Sequence, residues 1–291
     1  MKALLAGAIK AAEIGGLEVA AVHNLHSLNI ASKGKTKEGV NDPVTAADYR
    51  SHCAMYHSLI NAFPKITVIS EEKSLGCDKV DIPDLKDTLK NPGQFDIGYD
   101  SAVNTNDITV WIDPLDATKE FTENLLQYVT TMVCVAVKGE PVMGIVHKPF
   151  DGKQTYWAWV GHGVSKNLNV PTQTERRTPV LIVSRSHAGR VHNASKQALG
   201  EDVQVIAAAG AGYKALEVAV GNATAYVHMT AIKKWDICAG AAIISELGGE
   251  VTPLSSPPPI GFGATDSTML TTGLLATMRD HKWYMDKFYH A

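Results

Sequence analysis

One segment limits what this chain of 291 residues can become: WIDPLDATKEF, from Trp111 to Phe121. An apolar run closes there on two aspartates, with Pro114 between them. A proline pushes the residue before it out of the helical region, so the run reads as a strand that ends at Asp113 and turns. Both carboxylates, Asp113 and Asp116, then point into one pocket past the strand end. Two carboxylates ~4 Å apart repel by about 4 kcal/mol at an effective dielectric of 20. Such a pair must share a proton or hold a cation.

The rest of the chain frames that pocket. VTAADYRSHCAMYHSLINAF reads as a helix ended by Pro64, and ITVIS as a short strand running into Glu71 and Glu72. The polar segment from Lys73 to Asn106 reads as a loop or insertion. YVTTMVCVAV and PVMGIVHK are further strands, and QTYWAWV closes a hairpin whose turn is Asp151-Gly152. After about Pro171 strands and helices alternate, which divides the chain into an N-terminal α+β half (1–170) and a C-terminal α/β half (171–291). SKGKTKEG reads as a solvated, glycine- and lysine-rich link, and SSPPP at 255–259 as a turn.

Composition removes several classes of function. A net charge of −3 leaves no basic face for nucleic acid. No apolar run is long enough for a membrane span. The N-terminal run MKALLAGAIKAAEIGGLEVA is interrupted by Lys10 and Glu13, which suits an amphipathic helix rather than a leader. The four cysteines, Cys53, Cys77, Cys134 and Cys238, form no CxxC pair and read as buried free thiols in preference to a zinc site or disulfides.

Other acidic residues sit in comparable settings: Glu71 at a strand end, Asp48 on the second helix, and Asp236 near the start of the apolar helix in KKWDICAG. All-oxygen ligands suit a hard cation, with Mg²⁺ first. Taken singly, Asp113 reads as part of a turn and Asp236 as stabilising a helix N-terminus, in preference to ligands. The D-x-x-D spacing disfavours a phospho-aspartate mechanism that needs D-x-D, and Pro114 opposes the helical D-x-x-D of prenyl synthases.

In combination, Glu71-Glu72, WIDPLDAT and WDICAG resemble, in the same order, the three signature blocks of the lithium-sensitive, Mg²⁺-dependent phosphatases related to inositol monophosphatase. SKGKTKEG, YVTTMVCVAV, HKPF, VSRSH, AGAGYK and IKKWDICAG resemble the Golgi branch that cleaves 3′-phosphoadenosine 5′-phosphate (PAP). That branch shares Ala117, where the wider family usually has glycine. The resemblance implies a layered α-β-α-β-α sandwich of the inositol monophosphatase and fructose bisphosphatase type. It implies two or three Mg²⁺ ions held by Glu71, Asp113, the Leu115 carbonyl, Asp116, Thr118 and Asp236, with Asp48 and Thr118 as the catalytic dyad. It implies substrate contacts from Thr118, Ser184, His187, Gly210 and Lys214. A homodimer and a Golgi lumenal location, with a cytoplasmic one as the alternative, follow from the same resemblance. Inositol and sugar phosphates are the alternative substrates, and a PAP-binding sensor without turnover is the alternative outside enzymology. Trp157, Trp159 and the remaining histidines read as packing, and Lys233-Lys234 as either an anion lure or a solvated helix entry.

Overall fold

The computed structural model describes all residues except 36–38, 40, 75, 93, 94, 96, 98, 99, 169–177, 187–190, 255–258 and 290–291. Helix α1 (Lys2–Asn24) is followed by a hairpin, β1 (Ala31–Lys35) and β2 (Asn41–Val44), and by helix α2 (Ala46–Ala62). Next come β3 (Thr67–Ser70), α3 (Lys86–Lys90), β4 (Ile108–Asp116) and α4 (Thr118–Thr122). A run of strands continues with β5 (Thr130–Val137), β6 (Glu140–Lys148), β7 (Gln154–Trp159) and β8 (Gly163–Val164). The remainder alternates: β9 (Val180–Ser184), α5 (Val191–Leu199), β10 (Gln204–Ala208), α6 (Ala211–Ala219), β11 (Ala225–His228), β12 (Ile232–Lys233) and α7 (Lys234–Glu246). It ends in β13 (Glu250–Pro253), β14 (Met269–Leu270), β15 (Leu274–Thr277) and α8 (His281–Tyr289).

Two sheets dominate, ordered β3-β4-β5-β6-β7-β8 and β10-β9-β11-β15-β13. Helices α1 and α2 cover the outer face of the first sheet, α6 and α7 lie between the sheets, and α5 and α8 cover the far face of the second. The layers are therefore α-β-α-β-α, as expected. With helices on both faces, β4 is buried along its whole length. Its side chains alternate: Val110 and Ile112 enter the core with α1 and α2, while Trp111 enters the core with α6 and α7. Gly144 lets α7 lie close on β6, because a Cβ there would meet the Ala239 carbonyl oxygen at 2.0 Å. That close approach brings the start of α7, and Asp236 with it, over the end of β4.

Several expectations change. Strand β4 does not stop at Asp113 but runs on to Asp116, with a shift of register against β5 between those two residues. Pro114 has no amide to offer a ladder, and a register break is where a strand tolerates it. The polar segment before β4 is more than an insertion, since Leu85 and Ile97 are buried in the core beside α1. The SKGKTKEG link supplies strand β1, and its hairpin folds toward the acidic cluster. The SSPPP turn lies mainly outside the described residues.

The cysteine reading is overturned. Cys53 pairs with Cys77 and Cys134 with Cys238, leaving no free cysteine. The residues of each pair are far apart in sequence but their Cα atoms are 5.3 and 5.7 Å apart, within the usual disulfide range. Sequence spacing carried no trace of that proximity. The second bridge ties β5 to α7. Trp157 and Trp159 are core residues, as read.

Candidate active site

Side chains along a strand alternate between faces, so Asp113 falls on the Trp111 side, toward α7. By the same alternation Asp116 would point to the opposite face. The register shift re-aims it, and both carboxylates line one cleft of about 390 Å³. Asp113 is 2% and Asp116 9% exposed. The turn then passes through Ala117 at φ 68° and ψ 44°, a left-handed conformation that glycine adopts more cheaply. Ser51 on α2 pins the turn by donating to the Pro114 carbonyl at 2.6 Å.

Glu71 enters from the end of β3, its amide donating to the Ile112 carbonyl. Asp236 enters from the first turn of α7, where its Oδ2 also accepts the Lys233 amide at 3.3 Å. The capping role and the cleft role of Asp236 thus coexist. One carboxylate oxygen from each of Glu71, Asp113 and Asp236 lies within 4.8 Å of the others. Burial, reinforced by the charges of Glu71, Asp116 and Asp236, pushes the Asp113 carboxyl well above its ordinary range. Burial and the neighbouring Glu71 and Asp116 do the same to Asp236. Lys33 of β1 donates to Glu71 at 2.8 Å and also reaches Glu72. Burial disfavours its charge, but the two carboxylates outweigh that and hold the ammonium protonated. One lysine does not balance this set of anions. A cluster of oxygen donors with no nitrogen or sulfur ligand fits hard divalent cations.

Asp48 caps its own helix. Its Oδ2 accepts the Thr45 amide and hydroxyl, each at 2.7 Å, in a capping box at the start of α2. Its Oδ1 accepts the Thr118 hydroxyl at 2.8 Å across the cleft floor. Thr118 Oγ1 also donates toward the Leu115 carbonyl at 3.1 Å, and both residues line the same cleft as Asp113 and Asp116. Burial pushes the Asp48 carboxyl up to about 6, against the hydrogen bonds from Thr45 and Thr118.

The second sheet supplies the opposite wall. Ser184 at the end of β9, Gly210 before α6 and Lys214 on α6 all line the cleft. His187 lies outside the described residues. Gly210 has φ 68°, and a Cβ there would meet the Tyr128 carbonyl at 2.6 Å, so the turn needs glycine. Lys214 is buried, donates to the Gly210 carbonyl at 2.6 Å, and is pushed down to about 8 by burial against the pull of Asp116, Glu120 and Asp236. Of the basic pair, Lys233 lines the cleft while Lys234 is buried and reaches the Gly261 carbonyl.

The cleft also contains residues that sequence reasoning missed as site residues. Lys35, Lys119, Glu120 and Ser186 line it. Glu120 is buried and accepts the Ser186 hydroxyl at 2.7 Å, joining α4 to the segment after β9. Lys119 and Glu120 belong to the WIDPLDATKEF segment itself, so their nearness to Thr118 was the available signal. Ser186 had only its place in VSRSH.

Comparison with known proteins places the chain in a family. The sequence model of the inositol monophosphatase family matches residues 1–287. A Drosophila melanogaster protein named "Putative inositol monophosphatase 3" is 49% identical, the match covering 99% of this chain and 81% of the relative. The Golgi-resident adenosine 3′,5′-bisphosphate 3′-phosphatase of Rattus norvegicus is 43% identical, over 96% of this chain and 78% of the relative. Among solved structures, CysQ from Bacteroides thetaiotaomicron superposes with a TM-score of 0.65 at 23% identity, covering 94% of this chain and 97% of its own. SuhB from Bartonella henselae gives 0.69 at 18% identity, covering 99% and 97%. The chain belongs to the inositol monophosphatase family.

Proposed function

We propose that this chain removes the 3′-phosphate of PAP, releasing AMP and phosphate, with Mg²⁺ held by Glu71, Asp113, the Leu115 carbonyl, Asp116, Thr118 and Asp236. Divalent ions there would neutralise the carboxylates, polarise the phosphate and lower the pKa of water. Thr118 has committed its own proton to Asp48, so its oxygen keeps lone pairs to accept a hydrogen bond from the attacking water. Asp48 then stabilises the proton drawn off through Thr118, the role of a positioned general base. Backbone amides of the turn through Ala117 and Thr118 would hold phosphate oxygens.

The observation that carries the choice of substrate is the charge of the cleft lining. Lys35, Lys119, Lys214 and Lys233 line the cleft beside the carboxylate cluster. An inositol monophosphate brings a single phosphate, which the metal end would take. A bisphosphate nucleotide brings a second anion, and these lysines suit it. Ser184, Gly210, Lys214 and His187 are the residues we assign to the nucleotide. The relative named as a Golgi-resident adenosine 3′,5′-bisphosphate 3′-phosphatase supports this reading. The relatives named inositol monophosphatase 3 favour the second reading, an inositol phosphate.

Two disulfides fit an oxidising compartment, which supports a Golgi lumenal location over a cytoplasmic one. No helix among the described residues is long and apolar enough to cross a membrane. The test is phosphate release from PAP, inositol 1-phosphate and fructose 1,6-bisphosphate, with Mg²⁺ titrated and lithium added. PAP is expected to lead, with lithium inhibiting. A preference for the inositol compound would overturn the assignment, and binding of PAP without turnover would point to a sensor.

A further inference from the structure

Asp116 is held by more than its place in β4. Across the strand pair its register partner is Thr130, the first residue of β5 and fully buried. Thr130 Oγ1 donates to Asp116 Oδ2 at 3.2 Å, and the Gly212 amide in the first turn of α6 donates to the same oxygen at 2.8 Å. The approach is close by construction. A Cβ on Gly212 would come within 2.7 Å of Thr130 Oγ1 and 2.6 Å of the Met132 sulfur. A Cβ on Gly210 would come within 3.2 Å of Asp116 Oδ2. One hydroxyl from the first sheet and one amide from the helix between the sheets therefore converge on one oxygen, which sets the plane of the carboxylate.

We propose that Thr130 is a positioning residue: with the Gly212 amide it orients the Asp116 carboxylate toward the metal end of the cleft. The inference rests on the reading of Asp116 as a metal ligand. The strand pairing alone does not require a hydroxyl here, since a buried position on β5 is filled as well by valine. Groups that orient a metal ligand from behind typically change metal affinity 10–100-fold when removed.

The test measures Mn²⁺ binding to the whole protein by the loss of the free-ion paramagnetic resonance signal, with thermal melting alongside. Thr130→Val keeps the shape and removes the donor, and Mn²⁺ affinity is expected to fall by about tenfold. Should that variant fail to fold, Thr130→Ala and Thr130→Ser form the decisive pair. Both lose the γ-methyl, and serine alone keeps the hydroxyl, so serine should bind Mn²⁺ within about twofold of the native chain while alanine shows the loss. Asp116→Asn separates the two readings. If Asp116→Asn weakens Mn²⁺ binding and neither Thr130→Val nor Thr130→Ala does, Thr130 does not position the ligand and the proposal is overturned. If Asp116→Asn also binds normally, the metal assignment fails and takes the proposal with it. If the Thr130 variants without a hydroxyl bind Mn²⁺ weakly and serine rescues, the proposal stands even should the chain hydrolyse none of the phosphate esters above.

Discussion

The bridge between Cys134 and Cys238 offers the most direct quantitative test. Its two cysteines are 104 residues apart in sequence, against 24 for Cys53 and Cys77. Treating a disulfide as a constraint on the unfolded chain, closing a loop of the longer length contributes about 4.7 kcal/mol, and the shorter about 3.5 kcal/mol. Unfolding entropy of about 2.1 cal/mol/K per residue gives ~0.6 kcal/mol/K for a chain of this length. Replacing both Cys134 and Cys238 by alanine should therefore lower the melting temperature by about 8 °C, measured by calorimetry without reductant. The same loss should be reached by adding a dithiol to a Cys53→Ala/Cys77→Ala variant, in which only this bridge is left to reduce, and that separates the lost constraint from the small volume lost on substitution. Alkylation followed by mass spectrometry should label no cysteine before reduction and all four after it. Two results would refute the reasoning: free thiols in protein purified from an oxidising compartment, or a double variant that melts within about 2 °C of the native chain. The outcome also bears on location, because reduction in a cytoplasm would remove both constraints.

Three further outcomes are expected. Thr118→Ala removes the hydroxyl between Asp48 and the cleft, so kcat should fall by about 10²–10⁴-fold in steady-state assays at saturating Mg²⁺, with a smaller change in KM. Because burial raises the Asp48 carboxyl to about 6 and the base must be ionised, kcat should decline as pH falls through about 6 instead of holding down to the ordinary value of 3.8; Asp48→Asn should abolish that limb of the pH profile. Ala117→Gly relieves a left-handed conformation that costs an alanine about 1 kcal/mol, an amount glycine's own entropy partly offsets, so the variant should melt at or slightly above the native temperature. A clear fall in its melting temperature would show that the turn needs the alanine methyl.

Much of the site was legible because its chemistry is local. Asp113, Asp116 and Thr118 stand within six residues, and an apolar strand that ends on acids announces itself in any one sequence. Glu71 and Asp236 were found the same way, each where an apolar element starts or stops. What escaped were relations across the chain. The lysine and carboxylate linings from β1 and α4 became visible only as walls of the cleft. Lys33 read as a solvated residue of a link because nothing near it in sequence is its partner, while Glu71 and Glu72 lie 38 and 39 residues on. Strand β15 was missed altogether, since four apolar residues between turns carry too little periodicity to mark an element.

The sequence by itself determined which residues carry charge, where strands and helices alternate, and that a cluster of oxygen ligands must be compensated. Periodicity and residue chemistry act over a few neighbours, so they can be read without a fold. The shared pocket of Asp113 and Asp116 was read from a strand ending at Asp113, but only the tertiary structure decided how it arises: the strand runs on, period two alone would send Asp116 to the other face, and a shift in pairing with β5 brings it back. It alone decided that the cysteines pair, that Thr130 and Gly212 meet on one carboxylate oxygen, and that four lysines line one cleft. Those are matters of distance between segments far apart along the chain, and distance is set by how the layers pack.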